Sequence, residues 1–211
     1  MAGIVDLGTL KTAVQEWADY TNVSDERLTE FVQMATHVFN YGSSDISPLR
    51  LREMEDVQTL TPVDFVCSLP DDYLQYRRVI DLTVLRNPLT YITPQKVDEI
   101  YPDRSRGAPQ YFTIIGSSLY MYPLSASGIE LTYYTKIADM ADDTDTNWLL
   151  EKYPVLYLHG TLLQLGLFTR DDGLVNRSNT IMASMMSGII GADNLALYAY
   201  APSMPRGMTI A

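Results

Sequence analysis

Apolar residues in the first ~55 positions recur with the period of a helix face. Leu7, Leu10, Ala13, Val14 and Trp17 form one stripe. Asn22-Val23-Ser24 interrupts it, and Ser24 followed by Asp25 and Glu26 supplies an N-cap and first-turn acids for a second helix. That helix sets Leu28, Phe31, Val32, Ala35 and Val38 or Phe39 on one face and stops at Gly42. Ser47-Pro48 predicts an N-cap and first-turn proline for a short helix through Met54. From Val57 the period falls to two. Alternation over residues 57–69, 76–85 and 89–92 predicts strands, punctuated by Pro62, Pro70 and Asn87-Pro88. Thr93-Pro94 predicts a short capped helix, Gly116-Ser117 a turn between strands 110–115 and 118–122, and residues 129–136 a further strand. Helix then returns.

Thr146 is expected to cap a turn at residues 147–150, and Pro154 to start a helix reaching about Thr169. The leucines of that helix surround most of its circumference, which predicts a central place in a bundle. A last helix is expected over about 174–200, with Ile181, Met182, Met185, Met186, Ile189 and Ile190 at helical spacing. Pro202 and Pro205 deny regular helix to residues 201–211, which reads as an arm. The fold class is therefore α+β: a helical bundle formed by the N- and C-terminal helices, an inserted small antiparallel β region and an extended C-terminal arm. The organisation is one domain, 1–211, with helices over 1–56, the β-rich insertion over 57–138, helices over 146–200 and the arm over 201–211.

Composition narrows the chemistry. The 211 residues are 46% apolar and carry 15 Lys+Arg against 26 Asp+Glu, a net charge of −11. Apolar content at this level excludes an intrinsically disordered chain. The acidic balance argues against nucleic-acid binding by the whole protein, because phosphate neutralisation needs clustered cations. No run approaches ~18 uncharged apolar residues, and the N-terminus lacks a signal-peptide pattern, so a protein made in the cytoplasm with no membrane partner is expected. Cys67 cannot form an internal disulfide, and with only His37 and His159 it completes no structural zinc set. All three read as structural residues. The run from Asp139 to Asn147 has calcium-loop spacing at Asp143, Asp145 and Asn147. Trp148 and Pro154 stand at the sixth and twelfth positions, where an EF-hand needs Gly and Glu. No metal, cofactor or catalytic set emerges, and an enzyme is not expected. Arg77-Arg78 and Arg104-Ser105-Arg106 are the basic clusters. The counts of 15 Tyr and 10 Met suit contact surfaces.

The stretch from Gly107 to Pro123 reads Gly-Ala-Pro-Gln-Tyr-Phe-Thr-Ile-Ile-Gly-Ser-Ser-Leu-Tyr-Met-Tyr-Pro. It resembles a pattern of tailed-bacteriophage head-to-tail adaptor (connector) proteins, P-x-Y-(Y/F)-x-(I/V)-x-G-x-x-(L/I)-x-(F/Y/L)-x-P. Ile129-Glu130-Leu131-Thr132-Tyr133-Tyr134-Thr135-Lys136-Ile137 is similar to the strand that follows in that family. Asn147-Trp148-Leu149-Leu150, Pro154 to Gly160 and Leu69-Pro70-Asp71-Asp72-Tyr73-Leu74 match further pieces in order, over about half the chain.

The resemblance implies a structural virion protein in the neck, a ring joining the capsid's portal protein to a tail or nozzle protein, usually in twelve copies. Genomic DNA would pass through it without specific binding. The Met-rich last helix and the Pro-containing arm depart from the pattern. Tyr111, Tyr120 and Tyr122 in the β region, and Met204, Arg206, Met208 and Ile210 in the arm, are the candidate partner contacts, the arm toward the portal or a neighbouring subunit. The alternative is a small carbohydrate- or peptide-binding module using the Tyr-rich β region.

Overall fold

The structure is a computed structural model, and it describes residues 3–83 and 86–198. The chain divides into two compact units, Met1–Leu51 with Ile137–Ala211, and Arg52–Lys136. Helices and small sheets together make it α+β.

The first unit is helical. Helix α1 (Leu7–Ala18) begins at a reciprocal cap, in which Asp6 accepts from the Thr9 amide at 2.8 Å and the Thr9 hydroxyl accepts from the Asp6 amide at 3.1 Å. Helix α2 (Asp25–Tyr41) has the expected Ser24 cap, buries Leu28, Phe31, Val32, Ala35 and Phe39, and ends at Gly42 with φ +78°. Only glycine adopts that conformation without strain. A Cβ at Gly42 would also stand 2.7 Å from the Ile46 carbonyl oxygen.

The short helix expected from Ser47-Pro48 does not form. The chain turns back after Gly42 through a bond from the Ser43 amide to the Ile46 carbonyl (2.8 Å), and the Leu49 amide bonds to the Phe39 carbonyl (2.9 Å). This route lets Ile46, Leu49 and Leu51 reach the core, with only a single 3-10 turn at Arg52–Met54. Burial outweighed the local cap signal.

Helix α4 (Trp148–Lys152) is capped by Asn147 rather than Thr146, because the Asn147 carboxamide oxygen accepts from the Leu150 amide at 2.9 Å. Helix α5 (Pro154–Thr169) is buried at Leu156, Tyr157, Leu158, Leu162 and Leu165 and packs on α1, α2 and α4. Helix α6 (Asp172–Tyr198) runs antiparallel to α5, since a Cβ at Gly166 would meet Val175 and one at Gly160 would lie 3.5 Å from Met182 Sδ. It buries Ser178, Met182, Met186 and Ile189. By length and composition α6 is long and apolar enough to cross a membrane. Arg177 and Asp193 interrupt its uncharged run.

The second unit holds two sheets. One has the order β1 (Glu55–Leu60), β7 (Ile129–Thr135), β3 (Tyr73–Asp81), all antiparallel. The other runs β2 (Val66–Ser68), β6 (Ser118–Tyr122), β5 (Tyr111–Ile115), β4 (Thr90–Tyr91). Its β4–β5 pair is parallel, so the region is mixed rather than wholly antiparallel. The chain crosses between those two strands through helix α3 (Pro94–Ile100), capped by Thr93 as expected. The predicted single run over 57–69 is cut into two strands by Pro62 and by Asp64 and Phe65, which adopt φ +50° and +69°. Leu60, Cys67, Val79, Phe112, Leu119, Met121, Ile129 and Leu131 form the core of this unit.

Candidate interaction surface

The tyrosines of the β unit go largely into its own packing. Tyr122 is 2% exposed; its ring stacks on Tyr101 at 6.0 Å and its hydroxyl accepts from Arg104 Nη1 at 2.5 Å. That burial turns the ring inward in the single chain. Tyr111 is half-buried against Tyr101, ring centroids 6.2 Å apart, and Tyr120 is half-buried on β6. Both retain an outward edge. Tyr76 stacks on Tyr91 at 5.6 Å, and both abut Phe112. Tyr133 donates to Asp72 Oδ1 at 3.0 Å, and burial together with that carboxylate raises its pKa.

The basic clusters are matched within the same unit. Arg77 pairs with Glu55 at 3.0 Å and its guanidinium lies 5.9 Å from the centroid of the Tyr134 ring. Arg86 pairs with Glu130 at 2.7 Å, Arg104 with Asp98 at 2.7 Å, and Arg106 covers the Phe65 ring at 4.6 Å. These acids offset local positive charge, while Arg78, Arg86 and Arg104 keep exposed guanidiniums. Cys67 is buried and its thiol is pushed up to about 11 by desolvation, which keeps it protonated and unreactive.

The acidic loop after β7 docks on the start of α1. The Leu7 amide bonds to the Asp145 carbonyl and the Gly8 amide to the Asp143 carbonyl, each at 2.9 Å, satisfying first-turn donors of that helix. Lys11, 7% exposed, reaches Asp143 at 2.6 Å. Asp145 also accepts from the Ala141 and Asp142 amides, and those bonds hold its carboxyl below the usual range. The loop is thus a structural clasp, with the side chains of Asp142 and Asp143 toward solvent.

Two exposed surfaces stand on the helical unit. Trp17 belongs by spacing to the α1 core stripe, yet it is 57% exposed. At 100° per residue it falls about 80° from Leu7, while Lys11 lies inside the buried face and takes the place beside Val14. Trp17, Ala13 and Thr12 of α1 instead form a groove with Val155 and Leu158 of α5, with Glu16 as the charged residue of its lining. The Trp17 ring meets His159 edge-on at 5.8 Å. His159 is buried with Nδ1 unpartnered, and desolvation lowers its pKa, so it stands neutral. The second surface is the outer face of α6. Arg177, Ile181, Ser184, Gly188, Gly191 and Leu195 lie along one exposed line opposite the buried methionines, and Leu195 is 74% exposed. Hydropathy period alone could have found α6's two faces, but not that the second stays uncovered.

Met204, Arg206, Met208 and Ile210 lie outside the described residues.

The family model of the SU10 adaptor protein matches residues 5–205. No curated protein matches the chain.

Proposed function

The chain belongs to the SU10 adaptor protein family and is thus a phage head-to-tail adaptor of the virion neck, and on that premise we propose that it forms a ring seated between portal and tail and continuing the DNA channel. The observation that carries this reading is the family match across residues 5–205, which spans both compact units rather than one. In this reading the protein is a non-catalytic structural component, and twelve copies stand side by side. Its portal-side and tail-side surfaces each meet a different neighbour. A ring needs two unlike, complementary faces on every protomer. The exposed groove at Trp17 and the exposed face of α6 are two unlike surfaces on one unit. A net charge of −11 per copy suits a channel past which DNA moves without being held.

Mass measurement of the protein bound to purified portal tests the proposal. A closed ring of defined copy number, with unbroken central density in particle images, is the expected result. A monomer that never associates with portal-bearing heads would refute it.

A further inference from the structure

We infer that the C-terminal segment, residues 201–211, of one copy occupies the Trp17 groove of the adjacent copy. The inference rests on the ring reading and names the contact that links its protomers. It starts from the groove. An exposed tryptophan flanked by Val155, which is 44% exposed, is apolar surface that a free chain leaves in water. Tryptophan is also enriched among the residues that carry the binding energy of protein contacts. The groove is formed by Ile4, successive turns of α1 from Thr9 to Trp17 and the first turns of α5.

The occupant follows from chain length and charge. Thirteen residues follow Tyr198, and fully extended they reach about 44 Å. They include Met204, Met208 and Ile210 as apolar side chains and Arg206 as the one cation. Methionine sulfur and an unbranched stem fit an aromatic cleft of irregular shape. Among the described residues the groove lining contains the carboxylate of Glu16 and no Lys or Arg, so Arg206 has a partner of opposite charge there.

The direction of α6 sets where the segment begins. By the antiparallel pairing of Gly166 with Val175 and Gly160 with Met182, the residue of α6 level with Val155 is about Ser187. The remaining 11 residues to Tyr198 carry the helix about 16 Å past the start of α5. Entry into its own groove would require the segment to reverse over that distance, which its reach allows, so it is the ring reading that assigns the groove to the neighbour. Tail into groove is a heterologous contact, the kind that closes rings.

A paired-cysteine experiment tests this on the full-length chain. Thr12→Cys places a thiol in the exposed groove wall and Ile210→Cys one in the segment, while the buried Cys67 does not compete. The protein is assembled on portal, its mass is recorded, and it is then oxidised and run on a denaturing gel. The expected result is a ladder of covalent multimers, abolished by reductant and missing from either single-cysteine variant. An intramolecular disulfide confined to monomers would overturn the inference in favour of the chain's own groove. A ring of correct mass with no cross-link would overturn it while leaving the ring reading intact. Failure to form any multimer before oxidation would overturn both. Independently, Arg206→Glu should weaken self-association at least tenfold and Glu16→Arg should restore it; no restoration would remove the charge pairing from the proposal.

Discussion

Substituting Tyr157 by Phe removes one oxygen from the centre of the helical unit. The Tyr157 hydroxyl accepts from Asn147 Nδ2 at 2.8 Å and lies 3.1 Å from Thr36 Oγ1. Thr36 already bonds to the Val32 carbonyl at 3.0 Å, so Tyr157 is the donor to Thr36. Burial pushes the phenol pKa up, which keeps the donor proton in place. Asn147 is saturated: its other amide hydrogen goes to the Ala138 carbonyl at 2.8 Å and its oxygen caps α4. Tyr157→Phe therefore deletes two buried hydrogen bonds and strands one Asn147 N–H, at a cost of about 2 kcal/mol. With a urea slope of about 2 kcal/mol/M, the midpoint should fall by about 1 M. Both tryptophans, Trp17 and Trp148, lie in the helical unit, so tryptophan fluorescence follows that unit specifically. A double-mutant cycle with Asn147→Ala should give a coupling of about 1 kcal/mol. A midpoint unchanged within ~0.2 M, or strict additivity, would refute the network.

Leu162→Asp, at a position 1% exposed in α5, should cost about 4 kcal/mol or more, and a native denaturant midpoint would show that face to be open. Gly160→Ala should destabilise by about 1–2 kcal/mol, because its Cβ would come 2.9 Å from Phe39 Cζ, whereas Gly188→Ala, with nothing within 4 Å, should stabilise the isolated chain by about 0.5–1 kcal/mol. For His159 the folded pKa lies below the unfolded value of 6.5, so the unfolded chain takes the proton first. Stability is then held above pH 6.5 and lost as pH falls through the folded value, a slope that His159→Leu should flatten in pH-dependent melts. Duplex DNA should bind the free protein no more tightly than about 10⁻⁴ M at physiological salt, as measured by fluorescence anisotropy, and micromolar binding would contradict the inert channel.

What the sequence by itself determined is the part of the fold whose causes lie within a few residues. Ser24, Thr93, Pro94, Gly42 and the Gly116-Ser117 turn act on backbone groups three or four positions away, and all appear where the pattern puts them. The switch from helical to strand period at residues 55–60, and back after 135, was legible for the same reason. The ordered motifs from Leu69 to Asp172 likewise pointed to the adaptor family that covers the chain. Only the tertiary structure decided which faces are covered. Residues 48–51 form no helix because Leu49 and Leu51 are both drawn into the core, beside α2's carbonyls. Trp17 is exposed, while Lys11 turns inward to an aspartate 132 residues away. Tyr122 is buried and Arg104 neutralised by partners that no local spacing names. The period of a sequence fixes how side chains are arranged around one element. Which side another element covers depends on contacts between residues far apart in the chain.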